Sequence, residues 1–198
     1  MKTDILELYA KRHSFYDINN NITNETAITD IIKTTLKLYP SSFNAQEARI
    51  VLFLRNNHKK FWNITENKLI SISPSEKHNN IKERIFSFSK GFGTILYFID
   101  TLIVKEMEER YTLYADNFMN WANQSNAMLQ YMIWTALANN NIGASLQHYN
   151  PLIDEDIKNE FNIPKHWLLV AQMPFGGINS TTAPHYTDSL DDKFMILE

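Results

Sequence analysis

The stretch that decides the fold is Phe118-Met-Asn-Trp-Ala-Asn-Gln-Ser-Asn-Ala-Met-Leu-Gln-Tyr-Met-Ile-Trp-Thr-Ala-Leu-Ala-Asn-Asn-Asn141. Its apolar residues recur at steps of three and four, which predicts an α-helix with one buried stripe. Past Ala127 the opposite face is largely apolar as well, because Tyr131, Trp134 and Ala138 lie there. A helix that is apolar on two sides must be covered on two sides, so we expect it to pack against its own core and against a second surface.

The composition places the chain among ordinary globular proteins. Its 198 residues are 44% hydrophobic and 21% charged, with a formal net charge of −3, so we expect one domain over residues 1–198. The mild acidity gives no electrostatic reason to expect nucleic acid, and no apolar run is long enough to span a membrane. Acidic residues near the N-terminus, where a signal peptide would be apolar, predict a cytoplasmic protein. The absence of cysteine excludes disulfides, thiolate metal sites and thiol redox chemistry.

Helices and short strands alternate along the rest of the chain. Apolar spacing predicts helices over residues 4–12, 26–39, 58–70 and 154–161. Thr26 is the expected cap of the second helix, and a capping box at Ser73–Glu76 predicts a further helix toward Ser89. Continuous apolar runs predict buried strands over residues 50–54 and 93–99, another from Ser145, and one over residues 167–173.

The connecting segments complete this outline. The polar run 17–24 is typical of a loop, and the apolar end Phe194–Leu197 is expected to dock on another surface. Strands interleaved with helices predict an α+β or α/β sandwich.

The common catalytic motifs are absent. The six histidines do not form HExxH or similar metal spacing, and Gly91-Phe-Gly93 matches neither a Walker loop nor a dinucleotide fingerprint. No GxSxG nucleophile elbow occurs either. Three polar clusters remain as candidates for a binding site: Arg12-His13-Ser14, Pro40 to Gln46, and Gln147-His148-Tyr149.

Each cluster has a binding interpretation and a structural one. Arg12 can fork onto a phosphate and Ser14 can add a hydrogen bond, or the pair can be a solvated helix end. The second cluster offers the donors and acceptors that the edge of a planar heteroaromatic ring needs, or it is an ordinary polar turn; these residues are Ser41, Ser42, Asn44 and Gln46. His148 and Tyr149 can equally be a satisfied core pair.

The order of these clusters resembles that of the FMN-dependent nitroreductase family over nearly the whole chain. The match is closest to a compact subgroup sometimes called fatty-acid-repression-mutant-like. The segments that carry the resemblance are Ser41 to Gln46, Tyr114 to Phe118, Gln124 to Tyr131, Trp134 to Ala138, Gly143 to Asp154 and Ala171 to Gly176. Their subgroup counterparts are SSFNSQ, YADNF, QSNAMLQY, WTALA, GASLQHYNPLID and AQMPFG.

The resemblance implies an α+β fold, a three-layer sandwich with a mixed four- or five-stranded sheet, in an intertwined homodimer that binds FMN between its chains. It implies that Arg12, His13 and Ser14 hold the phosphate and ribityl chain. It implies that the segment around Pro40, with Ser41, Ser42, Asn44 and Gln46, reaches the flavin of the partner chain. It also implies a polar contact from Gln124, a flavin N5–O4 edge beside Gln147, His148 and Tyr149, and a phosphate contact from Lys193.

Two positions depart from the family pattern. Phe86 stands where relatives have an asparagine that bonds to the pyrimidine edge of the flavin. Tyr16 stands where relatives outside the subgroup have a lysine near the flavin N1–O2 edge. We therefore interpret Tyr16 as a neutral phenol that replaces a cation, the alternative being that it only packs against the second helix.

The resemblance implies an oxidoreductase in which NADH or NADPH reduces FMN and leaves, after which a nitroaromatic, a quinone or a related small aromatic acceptor is reduced. The flavin would carry this ping-pong chemistry, so no catalytic side chain and no metal are expected. A different class remains open: a flavin-binding regulatory or storage protein with little turnover.

Overall fold

A five-stranded sheet forms the centre of the computed structural model, which describes residues 4–180, 183, 189 and 193–197. The strands are β1 (Ile18–Asn19), β2 (Ala48–Leu54), β3 (Gly93–Asp100), β4 (Ile142–Ala144) and β5 (Trp167–Ile178). Their order is β1-β5-β3-β2, with β4 also paired to β5. Seven helices are described: α1 (Ile5–Lys11), α2 (Glu25–Leu38), α3 (Arg55–Ile72), α4 (His78–Ser89), α5 (Thr101–Arg110), α6 (Phe118–Asn139) and α7 (Asp154–Phe161).

Strand β3 is buried on both faces, which explains its continuous apolar sequence. Because successive side chains of a strand point to opposite faces, it contributes to two separate cores. Ile95 and Tyr97 pack with α2 and α6, while Leu96 and Phe98 pack with α3, α4 and α7. The sheet is therefore the middle of three layers, as the α+β sandwich prediction requires.

Helix α6 confirms the interpretation of residues 118–141. Leu129, Ile133 and Leu137 are fully buried against the sheet, and burying each side chain contributes about 1.5–3 kcal/mol. The opposite face carries Met128 and Tyr131, whose side chains stay 44% and 39% exposed on this chain. The second apolar face is thus present, and nothing within the described residues covers it fully.

Several local predictions are corrected by the structure. The cap of α2 is Asn24, whose side chain accepts from the Ala27 N–H at 3.0 Å, and not Thr26. The capping box at Ser73–Glu76 is wrong, because a 3₁₀ turn occupies Ser75–Lys77 and α4 begins at His78 without a side-chain cap.

The short strands were the least predictable elements. The third predicted strand ends at Ala144 instead of beginning at Ser145, and Ile18–Asn19 pairs with β5 inside the segment predicted as a loop. Helix α5 had not been predicted at all. All named strand pairs are antiparallel, and among the described residues the one parallel pairing is the bridge between Ser14 and Ala144, so the sheet is not mixed as the resemblance implied.

No helix within the described residues is long and apolar enough to cross a membrane. The C-terminal segment Phe194–Leu197, which is predicted to dock on another surface, lies within the described residues and stays exposed on this chain.

Candidate functional site

Arg12 lies just past the end of α1 and is held by the aromatic face of α6. Its guanidinium carbon is 4.4 Å from the centroid of the Trp134 ring and 5.5 Å from that of Tyr131. Its Nε is buried and has no hydrogen-bond partner among the described residues. A buried donor without an acceptor costs about 1–3 kcal/mol, so this geometry indicates that an acceptor from outside the chain belongs here.

His13, the next residue, also has a buried atom without a partner among the described residues. Its Nδ1 lies 3.1 Å from the Lys11 carbonyl, which can only accept, so Nδ1 carries the proton. Its Nε2 is buried and, within the described chain, has no partner. The ring packs against Phe15 with the centroids 4.1 Å apart, which fixes its orientation. Arg12 Nε is a donor that fits an anion such as a phosphate, whereas His13 Nε2 in this tautomer is an acceptor that fits a hydroxyl group.

Strand pairing brings this motif next to β4 and the turn that follows it. Ser14 bridges to Ala144, and the Phe15 N–H donates to the Ala144 carbonyl at 3.0 Å. The approach is close: a Cβ added at Gly143 would lie 3.0 Å from the Phe15 Cβ. Glycine at position 143 therefore allows the first cluster to pair with β4, a few residues before the turn Gln147–Tyr149.

Gln172 holds the turn Gln147–Tyr149 in place. Its backbone exchanges hydrogen bonds with that of Gln147 at 2.7 and 2.9 Å, and its side-chain oxygen accepts from the Tyr149 N–H at 2.8 Å. The His148 side chain is exposed. Of the three backbone N–H groups of the turn, that of His148 is left without a partner among the described residues. Gln172 had no predicted role, although a fully buried glutamine in an apolar strand was a usable signal.

The turn Ser41–Gln46 has unusual backbone geometry. Phe43, Asn44 and Gln46 all have positive φ, at 54°, 53° and 55°. Such conformations cost on the order of 1–3 kcal/mol each and persist where the surroundings impose them, often at binding sites. The Ser41 hydroxyl accepts from the Gln46 N–H at 3.0 Å, and the Gln46 amide donates to the Asn44 side chain at 3.2 Å.

Within one chain this turn is far from Arg12. The Phe43 ring is 50% exposed and packs near Trp121 in the first half of α6, with the centroids 6.0 Å apart, whereas Arg12 lies on Trp134. At 1.5 Å per residue the two tryptophans are roughly 20 Å apart along the helix. The structure thus places the first cluster beside β4, which leads into the third cluster, and leaves the second cluster apart from Arg12.

The remaining predicted residues are exposed or half-buried. Pro40 and Gln124 lie at the surface, and Ser42 is half-buried in the second cluster. Lys193 donates to the Ser189 carbonyl at 3.0 Å. Tyr16 is 40% exposed and has the guanidinium of Arg84 above its ring, a neighbour that the sequence did not predict.

Glu47 is a second residue that the sequence analysis missed. It directly follows the turn Ser41–Gln46, and its side chain is buried with Oε2 unpartnered among the described residues. Burial raises the pKa of Glu47, while a hydrogen bond from Ser125 opposes that rise.

A three-layer α+β fold with half-buried Arg12 and His13 beside the aromatic face of α6 defines a protein with a candidate site for a polar ligand, and comparisons with known proteins identify its family. The sequence pattern of the nitroreductase family matches residues 9–177. The chain belongs to the nitroreductase family.

Two curated yeast relatives from Saccharomyces cerevisiae, HBN1 and the nitroreductase FRM2, are 26% and 22% identical over 174 residues, which is 86% of this chain and 86% of theirs. Nitroreductase CinD from Lactococcus lactis, solved in complexes with chloramphenicol and with 4-nitrophenol, is 32% identical. It superposes with a TM-score of 0.90 over 98% of this chain and 100% of its own. A nitroreductase with bound FMN from Desulfitobacterium hafniense is 20% identical, with a TM-score of 0.74 over 100% of both chains.

Proposed function

We propose that the protein is an FMN-dependent NAD(P)H oxidoreductase that reduces nitroaromatics, quinones or related small aromatic acceptors by a ping-pong reaction. The observation that carries this proposal is a pair of buried atoms on neighbouring residues, Arg12 Nε and His13 Nε2, that have no partner within the part of the chain that the structure describes. Their position beside α6 and close to β4 suits the phosphate end of a flavin mononucleotide. When bound, FMN would accept a hydride from the nicotinamide and pass reducing equivalents to the acceptor.

The residues of this chain would bind and orient the cofactor. Arg12, His13 and Ser14 would hold the phosphate and ribityl chain, with Lys193 adding charge. The His148 N–H, which has no protein partner in the described chain, would donate to the N5–O4 edge. Aromatic side chains beside Arg12 would exclude water, so that the hydrogen bonds to the phosphate act in a low dielectric.

The acceptor class is supported by the relatives. CinD binds chloramphenicol and 4-nitrophenol, both of which carry a nitro group on an aromatic ring. A planar ring can stack on an open flavin face without a dedicated acid or base from the protein. We therefore propose small aromatic acceptors and assign no catalytic side chain.

The protein is expected to purify with FMN or to take it up. Anaerobic titration with NADH and with NADPH should then bleach the flavin absorbance, and 4-nitrophenol should restore it. Denaturation should release FMN and not FAD. A protein that stays colourless and fails to bind added FMN would refute the proposal, whereas bound flavin that no nicotinamide reduces would favour the regulatory or storage alternative.

We also propose that the working form is a homodimer with the flavin between the chains. In one chain the Ser41–Gln46 turn lies roughly 20 Å along α6 from Arg12, so a second copy is needed to bring Ser41, Ser42 and Asn44 to the same flavin. The apolar outer faces of α1 and α6 provide the surface, with Leu6, Tyr9, Met128 and Tyr131 exposed on them. Gln124 lies on the same helix.

A charge on that surface is expected to separate the chains. Met128→Glu should shift the protein from dimer to monomer in light scattering and lose FMN at the same time, because a carboxylate would be buried without a partner. Ile72→Glu is the matched control: Ile72 is also exposed, but it ends α3 on the opposite layer of the sheet. A wild-type monomer that retains its flavin would contradict the dimeric site.

A further inference from the structure

Glu47 carries a buried carboxyl group that no cation neutralises directly. Its side chain is only 3% exposed, and its Oε2 has no partner within the described part of the chain. The cation that lowers its pKa, Arg49, is already paired: the guanidinium lies 2.9 Å from the Asp100 carboxylate and donates to the Gln46 carbonyl at 2.9 Å. Burial of a carboxyl without its own ion pair disfavours the charged form, and burial accordingly raises the pKa of Glu47. Glu47 therefore keeps its proton to a higher pH than an exposed glutamate does.

A small cavity joins Glu47 to the turn Ser41–Gln46. Its volume is about 10 Å³, which leaves room for about one water molecule. Glu47 and Ser42 are its polar lining residues, and the others are apolar: Ala45, Val104, Met107, Phe118 and Ala122. A single water in this cavity can therefore connect the Glu47 carboxyl to Ser42, and such a bridge is nearly as favourable as a direct hydrogen bond.

The groups around Glu47 leave Ser42 as the polar residue through which its proton can pass. Tyr39 and Arg49 are the titratable and charged side chains that interact with Glu47 electrostatically, and both lie on its own side of the helix layer, at the end of α2 and in β2. Helices α5 and α6 contribute uncharged side chains to this site within the described chain: Val104, Met107, Phe118, Ala122 and Ser125.

We propose that Glu47 supplies a proton to the electron acceptor through one water and the Ser42 hydroxyl, an inference that rests on the proposed function. In the proposed dimer, Ser42 reaches the flavin that the other chain holds. Reduction of a quinone to a hydroquinone consumes a hydride, which carries both electrons and comes from the reduced flavin, and a proton for the oxygen. That oxygen takes the proton of the Ser42 hydroxyl, and Ser42 recovers one from the water.

The water in turn takes the proton of Glu47, which is left as a carboxylate until solvent reprotonates it. Glu47 contacts neither the flavin nor the acceptor and acts only through Ser42. Bulk water is the alternative source of this proton.

The test uses two oxidants, of which only one needs a proton. The FMN-loaded protein is reduced with NADH and mixed rapidly with 1,4-benzoquinone, which takes a hydride and a proton, or with ferricyanide, which takes electrons alone. Glu47→Gln keeps the shape of the side chain and cannot release a proton. It should slow re-oxidation by benzoquinone roughly a hundredfold, the low end of the range for general acid catalysis, and leave the ferricyanide reaction and the reduction by NADH unchanged. Ser42→Ala should show the same selective loss, and Glu47→Asp should restore part of the rate.

The protonation of Glu47 is measured without flavin or turnover. In an infrared pH titration of the apoprotein, the C=O stretch of a protonated carboxyl that Glu47→Gln lacks should persist above pH 4.5, the ordinary pKa of glutamate. The band should disappear as the pH rises through the raised pKa of Glu47. The rate of re-oxidation of the wild-type protein by benzoquinone should fall over the same pH range, whereas that of Glu47→Gln should not.

Glu106→Gln is the matched control, because Glu106 is an exposed carboxylate on α5, the helix that contributes Val104 and Met107 to the cavity. It should match the wild type with both oxidants. Equal slowing of Glu47→Gln with both oxidants would make the role of Glu47 structural, and an unchanged benzoquinone rate would make bulk water the proton source; either result overturns the proposal. A wild-type protein whose flavin no nicotinamide reduces would refute the proposed function instead and would leave the infrared result intact, so the two failures are distinguishable.

Discussion

Arg12→Ala is expected to weaken FMN binding by about 1.5–3 kcal/mol, or roughly ten- to a hundredfold in dissociation constant, the range for hydrogen bonds to a charged group. Arginine presents a planar fork to a phosphate, and here the rings of Tyr131 and Trp134 hold that fork in one orientation. Arg12→Lys should recover only part of the loss, because an ammonium keeps the charge and loses the fork. Isothermal titration of apoprotein with FMN measures both effects.

The neighbouring cation provides the control for Arg12. Lys11 is exposed, and its Nζ donates to the Asn141 side chain at 2.8 Å, away from the buried atoms of Arg12 and His13. Lys11→Ala removes the same charge one residue away and should bind FMN nearly as well as wild type. Equal FMN affinity in wild type and Arg12→Ala would refute the assignment of Arg12 to the phosphate. If Lys11→Ala lost as much FMN affinity as Arg12→Ala, the effect of Arg12 would be a general charge effect and not a specific contact.

Acid is expected to destabilise the fold through a buried histidine. His58 belongs to a chain of hydrogen bonds: the Trp62 Nε1–H donates to the Thr94 hydroxyl at 2.9 Å, and Thr94 donates to His58 Nδ1 at 2.9 Å. The His58 Nε2–H then donates to the Ser89 carbonyl at 3.2 Å, which fixes the neutral tautomer. Burial lowers the pKa of His58 to about 4.

The direction of the pH effect follows from that lowered pKa. Below its ordinary pKa of 6.5 the histidine of the unfolded chain takes up a proton, whereas the folded protein does so only near pH 4. The free energy of unfolding should therefore fall as the pH drops from about 6.5 to about 4. The full loss is about 3 kcal/mol, and about 2 kcal/mol of it should be present at pH 5.

Urea unfolding at pH 7 and pH 5 checks this effect. His58→Gln should be less stable than wild type at pH 7, because the variant disturbs the bonds to Thr94 and Ser89, but it should lose less stability on acidification. Other carboxylates titrate in the same range, so the difference between wild type and variant is the relevant quantity. His148→Gln, which removes an exposed histidine, should follow the wild-type curve. Parallel pH dependence of wild type and His58→Gln would contradict the role of His58.

Local sequence patterns determined the elements whose apolar residues form a long helical stripe or an uninterrupted run. Helix α6, the short helix α7 at Asp154–Phe161 and the buried strand β3 agree closely with their predicted ranges, because the periods 3.6 and 2.0 are properties of the backbone itself. Strands β1 and β4 did not follow from such patterns. They have two and three residues, and they are strands because β5 offers them unpaired backbone groups.

The candidate site likewise has parts that the sequence predicts and parts that only the tertiary structure decides. The sequence by itself predicted the three candidate clusters and identified the family they resemble, because Arg12 to Ser14, Ser41 to Gln46 and Gln147 to Tyr149 are each contiguous. Only the tertiary structure decided that Gln172 supports the turn and that Arg84 lies over Tyr16. Each of these contacts joins residues more than twenty positions apart, and contacts of that kind are set by the packing of layers and not by local spacing. The unpartnered atoms of Arg12 and His13 belong to this second group, since burial and hydrogen bonding are properties of the folded chain.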